Sequence, residues 1–187
     1  MARLIFLNGS PGIGKSTVAR IYADRHPGTL HLDVDTLHYF VGGWKDEETN
    51  TWPDVWALVR AMATTHLERG NDVVLPAYQA TVEEISAWER LAGRCGAEYR
   101  AVVLLDDRAS AVERFNRRAR DSDDEWTVYH HRLIQLRGGD AVLGGMYDQL
   151  VEVIRLRPNT VVVHSSLGDI EQTYQALVEA LHEREAL

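Results

Sequence analysis

Cys95 is the only cysteine, so no disulfide can form within the chain, and a reducing, cytoplasmic setting is expected. Cys95 itself reads as a small buried residue. Positive charge is scarce: 20 lysines and arginines face 28 aspartates and glutamates, a net charge of −8. That balance disfavours a protein that coats long nucleic acid, while a local groove for an oligonucleotide end stays open. No apolar run approaches the ~20 residues of a membrane span, and no signal-peptide pattern opens the sequence, so no membrane partner is expected. Repeats, low-complexity tracts and linker-like stretches are missing too. Apolar content of 45% over 187 residues is enough for a real core, and one domain over residues 1–187 is expected.

What is present is concentrated near the N-terminus. An apolar run, Leu4 to Leu7, stops at Asn8, and Gly9, Ser10, Pro11, Gly12, Ile13, Gly14, Lys15, Ser16 and Thr17 follow before an amphipathic stretch. This is G-x-x-x-x-G-K-S/T, the phosphate-binding P-loop, between a strand and a helix as the motif requires. Its glycines let successive backbone N–H groups turn inward around an anion, and the following helix aims the positive end of its dipole at the same place. Lys15 is expected to reach the β and γ phosphates of a bound nucleotide, and Ser16 to ligate Mg²⁺.

The remaining chain alternates short apolar runs with helical patterns. Helices are expected over 15–26, 52–69, from Thr81 to about Arg94, over 109–120, near 127–137 and 146–157, and over 169–183. Strands are expected at 29–34, 72–78, 99–105 and 159–164, beside the one that precedes the P-loop. Residues 36–49 read as irregular, and GGDAVLGG as the break between two late helices. Five strands alternating with helices make a three-layer α/β/α fold with a parallel sheet. The helices between the arginine-rich segment and the last strand would form a lid, at about 116–145.

In such sheets ligands sit beyond the carboxyl ends of the strands. Those ends carry Asp33 and Asp35, then Pro76 to Gln79, then Asp106 and Asp107, then Ser165 and Ser166. On an extended strand Asp33 and Asp35 would share a face. Asp35 is the candidate general base toward a substrate hydroxyl, and Asp33 the candidate Mg²⁺ or substrate contact; both could equally start a helix at Thr36. Four arginines, Arg114, Arg117, Arg118 and Arg120, fall within seven residues, and Arg114 and Arg118 share a helix face suited to clamping phosphates. Tyr39, Trp44, Trp52, Trp56 and Tyr78 are candidate substrate walls, of which Tyr39, Trp56 and Tyr78 are placed at the substrate, and Arg60 and Arg132 could meet an anionic or hydroxylated group. His130-His131 lacks a metal-ligand spacing partner.

With GSPGIGKST, LDVDTLH and RFNRRAR on the page, the chain resembles the small P-loop kinases of the nucleoside-monophosphate-kinase-like fold. It is similar to the group of chloramphenicol phosphotransferase, gluconate kinase and polynucleotide kinase, and to tunicamycin-resistance-like ATP-binding proteins. Asp35-Thr36-Leu37 is similar to the segment that holds the catalytic base of the antibiotic phosphotransferase, and Arg114 and Arg118 match an R-x-x-x-R spacing at the kinase lid. The resemblance implies sheet order 2-3-1-4-5, ATP as donor, Mg²⁺, and a lid closing over the phosphates. LPAY stands where a D-x-x-G would follow the third strand. The expected activity is transfer of the γ-phosphoryl from ATP to a hydroxyl of a small molecule, an antibiotic or other secondary metabolite among the candidates, with Asp35, Lys15 and Arg118 in the chemistry. Alternatives are a polynucleotide or nucleoside kinase, or an ATP-binding protein that sequesters a drug or regulates. The lack of N-K-x-D disfavours a GTPase.

Overall fold

The computed structural model describes residues 1–46, 48–165 and 168–182. The chain runs β1 (Arg3–Gly9), α1 (Lys15–Arg25), β2 (Leu30–His31), α2 (Val34–His38), α3 (Trp52–Glu68), β3 (Val73–Pro76) and α4 (Val82–Arg94). It continues with β4 (Glu98–Leu105), α5 (Arg108–Arg120), α6 (Glu125–Leu136), α7 (Asp140–Leu156), β5 (Val161–His164) and α8 (Ile170–His182). The five strands form one all-parallel sheet in the order β2-β3-β1-β4-β5. β1 is central and buried almost throughout, as the unbroken Leu4–Leu7 run demands of a strand covered on both faces. Register pairs Leu7 with Pro76 and Gly9 with Leu104, so β3 and β4 end level with the glycine turn.

Strand alternation sorts the sheet's side chains into two cores. Leu4, Phe6, Val73 and Leu75 pack against α3, α4 and Val153 of α7. Ile5, Leu7, Val74, Val102 and Leu104 pack against α1 and α8. On α3 the buried stripe is Val55, Val59, Ala63 and Leu67, with Pro53 in the first turn, where a missing N–H costs nothing. Met62 of the same helix is exposed. α4 opens on the expected capping box, Thr81 Oγ1 accepting from Glu84 N at 3.2 Å. Among the described residues no helix is long and apolar enough to cross a membrane.

Three local expectations are corrected. The second strand is two residues long, and the chain turns helical at Val34, so Asp33 and Asp35 do not lie on one strand face. α7 starts at Asp140 and runs through Gly144-Gly145, while Gly138 and Gly139, both at positive φ, make the break. Gly144 lies beside the Arg108 guanidinium, the exposed end of a flexible side chain from α5. Cys95 is only half-buried, at the edge of the first core. The expectations at Ser166 and Glu183 lie outside the described residues.

Candidate active site

The P-loop is fastened from below by residues far away in sequence. Gly12 has φ 79°, and a Cβ there would lie 2.9 Å from Phe115 Cα, so only glycine lets α5 approach this closely. Gly14, at φ 103°, caps α1 without a side-chain bond, leaving the helix's first N–H groups free toward the cavity. The carbonyl of Ile13 accepts from Arg114 Nη2 at 2.7 Å and from Ser165 Oγ at 3.0 Å. Arg114 Nη1 donates to Ser165 O at 2.5 Å and to Asp106 Oδ2 at 3.1 Å. On the other flank Asn8 Oδ1 accepts from Gly9 N at 2.8 Å and from Gln79 N at 3.1 Å, while Asn8 Nδ2 donates to Gln79 O at 2.7 Å. Gln79 Oε1 in turn accepts from Trp88 Nε1 at 3.0 Å. Anion-binding backbone held this tightly is preorganised, because binding then orders little that was loose.

Above the loop opens a cavity of about 580 Å³. The P-loop forms one end, with Lys15, Ser16 and Thr17. Asp35 comes from α2, Trp52 and Trp56 from α3, Tyr78 and Gln79 from the end of β3, Arg118 from α5, Trp126 and His130 from α6, and Met146 from α7. Crowding by protein raises the Asp35 carboxyl to about 6; the Asp33 carboxylate adds to the rise, while Lys15, a Trp126 hydrogen bond and Arg118 pull it down. Asp35 is nonetheless exposed and lines the cavity. Desolvation lowers the Lys15 ammonium to about 8 against the pull of Asp35, with Arg118 lowering it further. Lys15 Nζ donates to Gly9 O at 2.8 Å and Ser10 O at 3.0 Å. Burial holds His130 near 4, so it is neutral at ordinary pH; its ring stacks on Trp126 with centroids 3.7 Å apart.

The expected residues divide by position. Pro11, Gly12, Gly14, Lys15, Ser16, Thr17, Asp35, Trp56, Tyr78 and Arg118 line one cavity. Arg114 lies beneath the loop, its two terminal nitrogens engaged by protein oxygens. Asp33 caps α2 by accepting from Thr36 N at 3.1 Å, the helix-start role that aspartate fills well. Tyr39 stands behind the wall: its hydroxyl donates to Asp124 Oδ1 at 3.2 Å and accepts from Trp126 N at 2.6 Å. The Tyr78 hydroxyl donates to Met146 O at 3.0 Å, tying β3's exit to α7. Trp44 packs on Tyr39 and Trp126. Arg60 borders a neighbouring cavity, and Arg132 is exposed away from both. Trp126, His130, Asn8 and the wall role of Gln79 had no motif to mark them. An indole directly after the acidic DSDDE patch was the one available hint for Trp126.

Among the described residues no three histidine, cysteine or carboxylate side chains gather closely enough to hold a metal alone. That inventory fits Mg²⁺, which takes one or two protein oxygens and completes its octahedron with phosphate and water. Ser16 and Asp35 both line the cavity, whereas Asp33 has one oxygen already engaged.

The pattern of the AAA domain family matches residues 4–138, and the chain belongs to that family. It is 29% identical over 189 residues to the adenylate kinase of Synechococcus sp. (strain CC9311), covering 94% of this chain and 98% of that one. A gluconokinase from Sinorhizobium meliloti 1021 superposes with a TM-score of 0.58 at 18% identity, over 97% of this chain and 93% of that one. A chain of the Pnkp1/Rnl/Hen1 RNA repair complex superposes at 0.67 and 16% identity, over 83% of this chain. This chain spans only 46% of that one's length. The fold is that of the P-loop kinases, with the strand order expected of them.

Proposed function

Starting from a chain of this family, we propose an ATP-dependent phosphotransferase that moves the γ-phosphoryl to a hydroxyl of an uncharged small molecule, with antibiotics and other secondary metabolites in its range. Charge along the cavity supports this most directly. Lys15 and Arg118 lie at the phosphate end, while the wall beyond Asp35 offers Trp52, Trp56, Tyr78, Gln79, Met146 and the carboxylate of Glu84, with no lysine or arginine. A phosphate-bearing acceptor would bring ~2 negative charges into a chamber whose fixed charges there are Asp35 and Glu84. A neutral hydroxylated acceptor meets no such penalty, and the indole walls suit an apolar body.

Asp35 orients the acceptor hydroxyl and takes its proton on a carboxylate oxygen. A pKa of about 6 leaves it ionised at neutral pH yet more basic than an ordinary aspartate. Lys15, Arg118 and the loop amides supply positive charge to the transferring phosphoryl. Ser16 and a nearby carboxylate would hold Mg²⁺, which neutralises phosphate charge when bound. Arg114 keeps the loop in shape from beneath. Residues 1–187 act as one domain, and residues 116–145 close over the phosphates as a lid.

The test is ADP release across a panel of neutral alcohols, nucleosides, nucleoside monophosphates and 5′-hydroxyl oligonucleotides. Stimulation by a neutral alcohol or glycoside is the expected result. Stimulation by nucleoside monophosphates alone, or by nothing in the panel, would overturn the proposal.

A further inference from the structure

A second cavity, of about 450 Å³, adjoins the first and shares Trp52, Trp56, Gln79 and Glu84 with it. Trp52 and Trp56 are half-buried and form its floor, backed by the buried Trp88, and Arg60, Arg90 and Glu83 stand at its rim beside Glu84. The phosphotransferase chemistry uses none of Arg60, Glu83, Trp88 or Arg90. The three indoles are not a slot for a flat ring: Trp56 and Trp88 are tilted by 55° with centroids 6.0 Å apart, and Trp52 and Trp56 lie 6.5 Å apart at 28°. The floor offers no parallel pair between which a flat ring could be sandwiched, and instead presents a bent platform that supports one face of a ring. The rim carries two guanidinium groups and two carboxylates, so its formal charges cancel. It does not select for a free anion or cation, but it presents donors and acceptors side by side. No hydrogen bond or ion pair joins Arg60, Arg90 or Glu83 to another described residue, so these groups are available. Gln79, by contrast, is locked to Trp88 and Asn8, which ties the cavity floor to the start of the P-loop.

We propose that this outer cavity is a sugar subsite, and that the acceptor is a glycoside or other two-part molecule whose pyranose-like ring rests on Trp52 and Trp56 while its other part presents the reacting hydroxyl to Asp35. The apolar C–H face of such a ring packs on indole. Its hydroxyls donate to Glu83 and Glu84 and accept from Arg60 and Arg90, since carboxylates only accept and guanidinium groups only donate. This inference rests on the phosphotransferase proposal for its second half, the placement of the reacting hydroxyl, and stands apart from it for the sugar subsite itself.

The experiment therefore reads binding and transfer separately. Phenyl β-glucoside, phenyl β-galactoside and phenyl α-mannoside are titrated into the full chain, followed by tryptophan fluorescence and by saturation-transfer NMR, with adenosine as comparator. At least one glycoside is expected to saturate the signal in the low-millimolar range, with its ring C–H protons closest to protein. Glu83→Gln combined with Arg90→Ala should weaken that binding by about tenfold, near 1.4 kcal/mol, and leave ATP affinity within about twofold. No saturation by any glycoside up to about 20 mM, binding indifferent to the double variant, or adenosine alone showing this dependence would overturn the sugar subsite. Binding that depends on the double variant, with no phosphoryl transfer to any alcohol, would keep the subsite and remove the transferase. Transfer to simple alcohols with no glycoside binding would do the reverse.

Discussion

The two ends of the cavity are built on different principles. At the proposed phosphate end the groups on offer are backbone amides of the turn from Gly9 to Gly14 and of the first turn of α1, with a buried guanidinium beneath and α5 close against Gly12. At the acceptor end they are side chains from α2, α3, α6, α7 and the exit of β3, spread from Asp35 to Met146. Backbone recognition suits a ligand that never changes, because a phosphate presents the same oxygens in every nucleotide. Side-chain recognition suits an acceptor, whose shape must be selected. One end is thus a fixed cradle and the other a chamber of side chains, joined at Asp35 and Lys15, where each favours the other's charged form against the cost of burial.

The sharpest separation of the two ends should come from Asp35→Asn. Phosphoryl transfer is expected to fall about 10²–10⁴-fold, the usual share of a general base, while ATP affinity measured by calorimetric titration stays within about twofold. Loss of both together would assign the carboxylate to the nucleotide end.

Arg114→Ala tests the cradle. It leaves Asp106 buried without its partner and should cost about 3–5 kcal/mol in denaturant melts. Arg114→Lys restores charge but not the fork that reaches both Ile13 and Ser165, so its recovery should be partial. Full stability with weakened ATP binding would instead make Arg114 a phosphate ligand.

Trp126 sharpens the junction. Its hydrogen bond helps restrain the Asp35 pKa, so the acid limb of the rate profile, expected near pH 6, should move up in Trp126→Phe. A shift of about 0.5–1 pH unit is anticipated, measured as kcat against pH; an unmoved limb would detach Trp126 from Asp35. The smallest effect is on stability. Because folding raises the Asp35 pKa from 3.8 to about 6, its protonated form favours the folded state. That contribution is complete below pH 3.8 and lost as pH rises through 6. Asp35→Asn should therefore be the more stable protein above pH 6, by no more than ~1 kcal/mol because the carboxylate opens on a wet cavity. The gap should close toward pH 4 in parallel urea melts.

Legibility followed the same division. The P-loop could be anticipated because its glycine turn and Lys15-Ser16 stand in one consecutive run, and the strand order because the resemblance to the small P-loop kinases implies it. Arg114 could not be placed correctly, although its helix was. Four residues per turn put it on the Arg118 face, but the approach of α5 beneath Gly12 turned the two guanidinium groups to different tasks: one under the loop, one into the cavity. Asp33 and Asp35 were marked as carboxylates at a strand end. The early start of α2 decided that Asp33 would cap it and that Asp35 would stand in the cavity. Gly144-Gly145 looked like a break because glycine weakens helices, yet α7 runs through both and the break falls at Gly138 and Gly139.

The sequence by itself determined where the P-loop lies, because that motif is one short run of backbone with particular residues in a row. It determined the parallel sheet as well, since buried strands alternating with helices leave few other ways to cover apolar faces. Only the tertiary structure decided which arginine and which aspartate line the cavity, and that Trp126, His130 and Gln79 would join them in its wall. Those assignments depend on contacts across dozens to more than a hundred residues of chain, where side-chain direction follows from helix packing that no local pattern encodes.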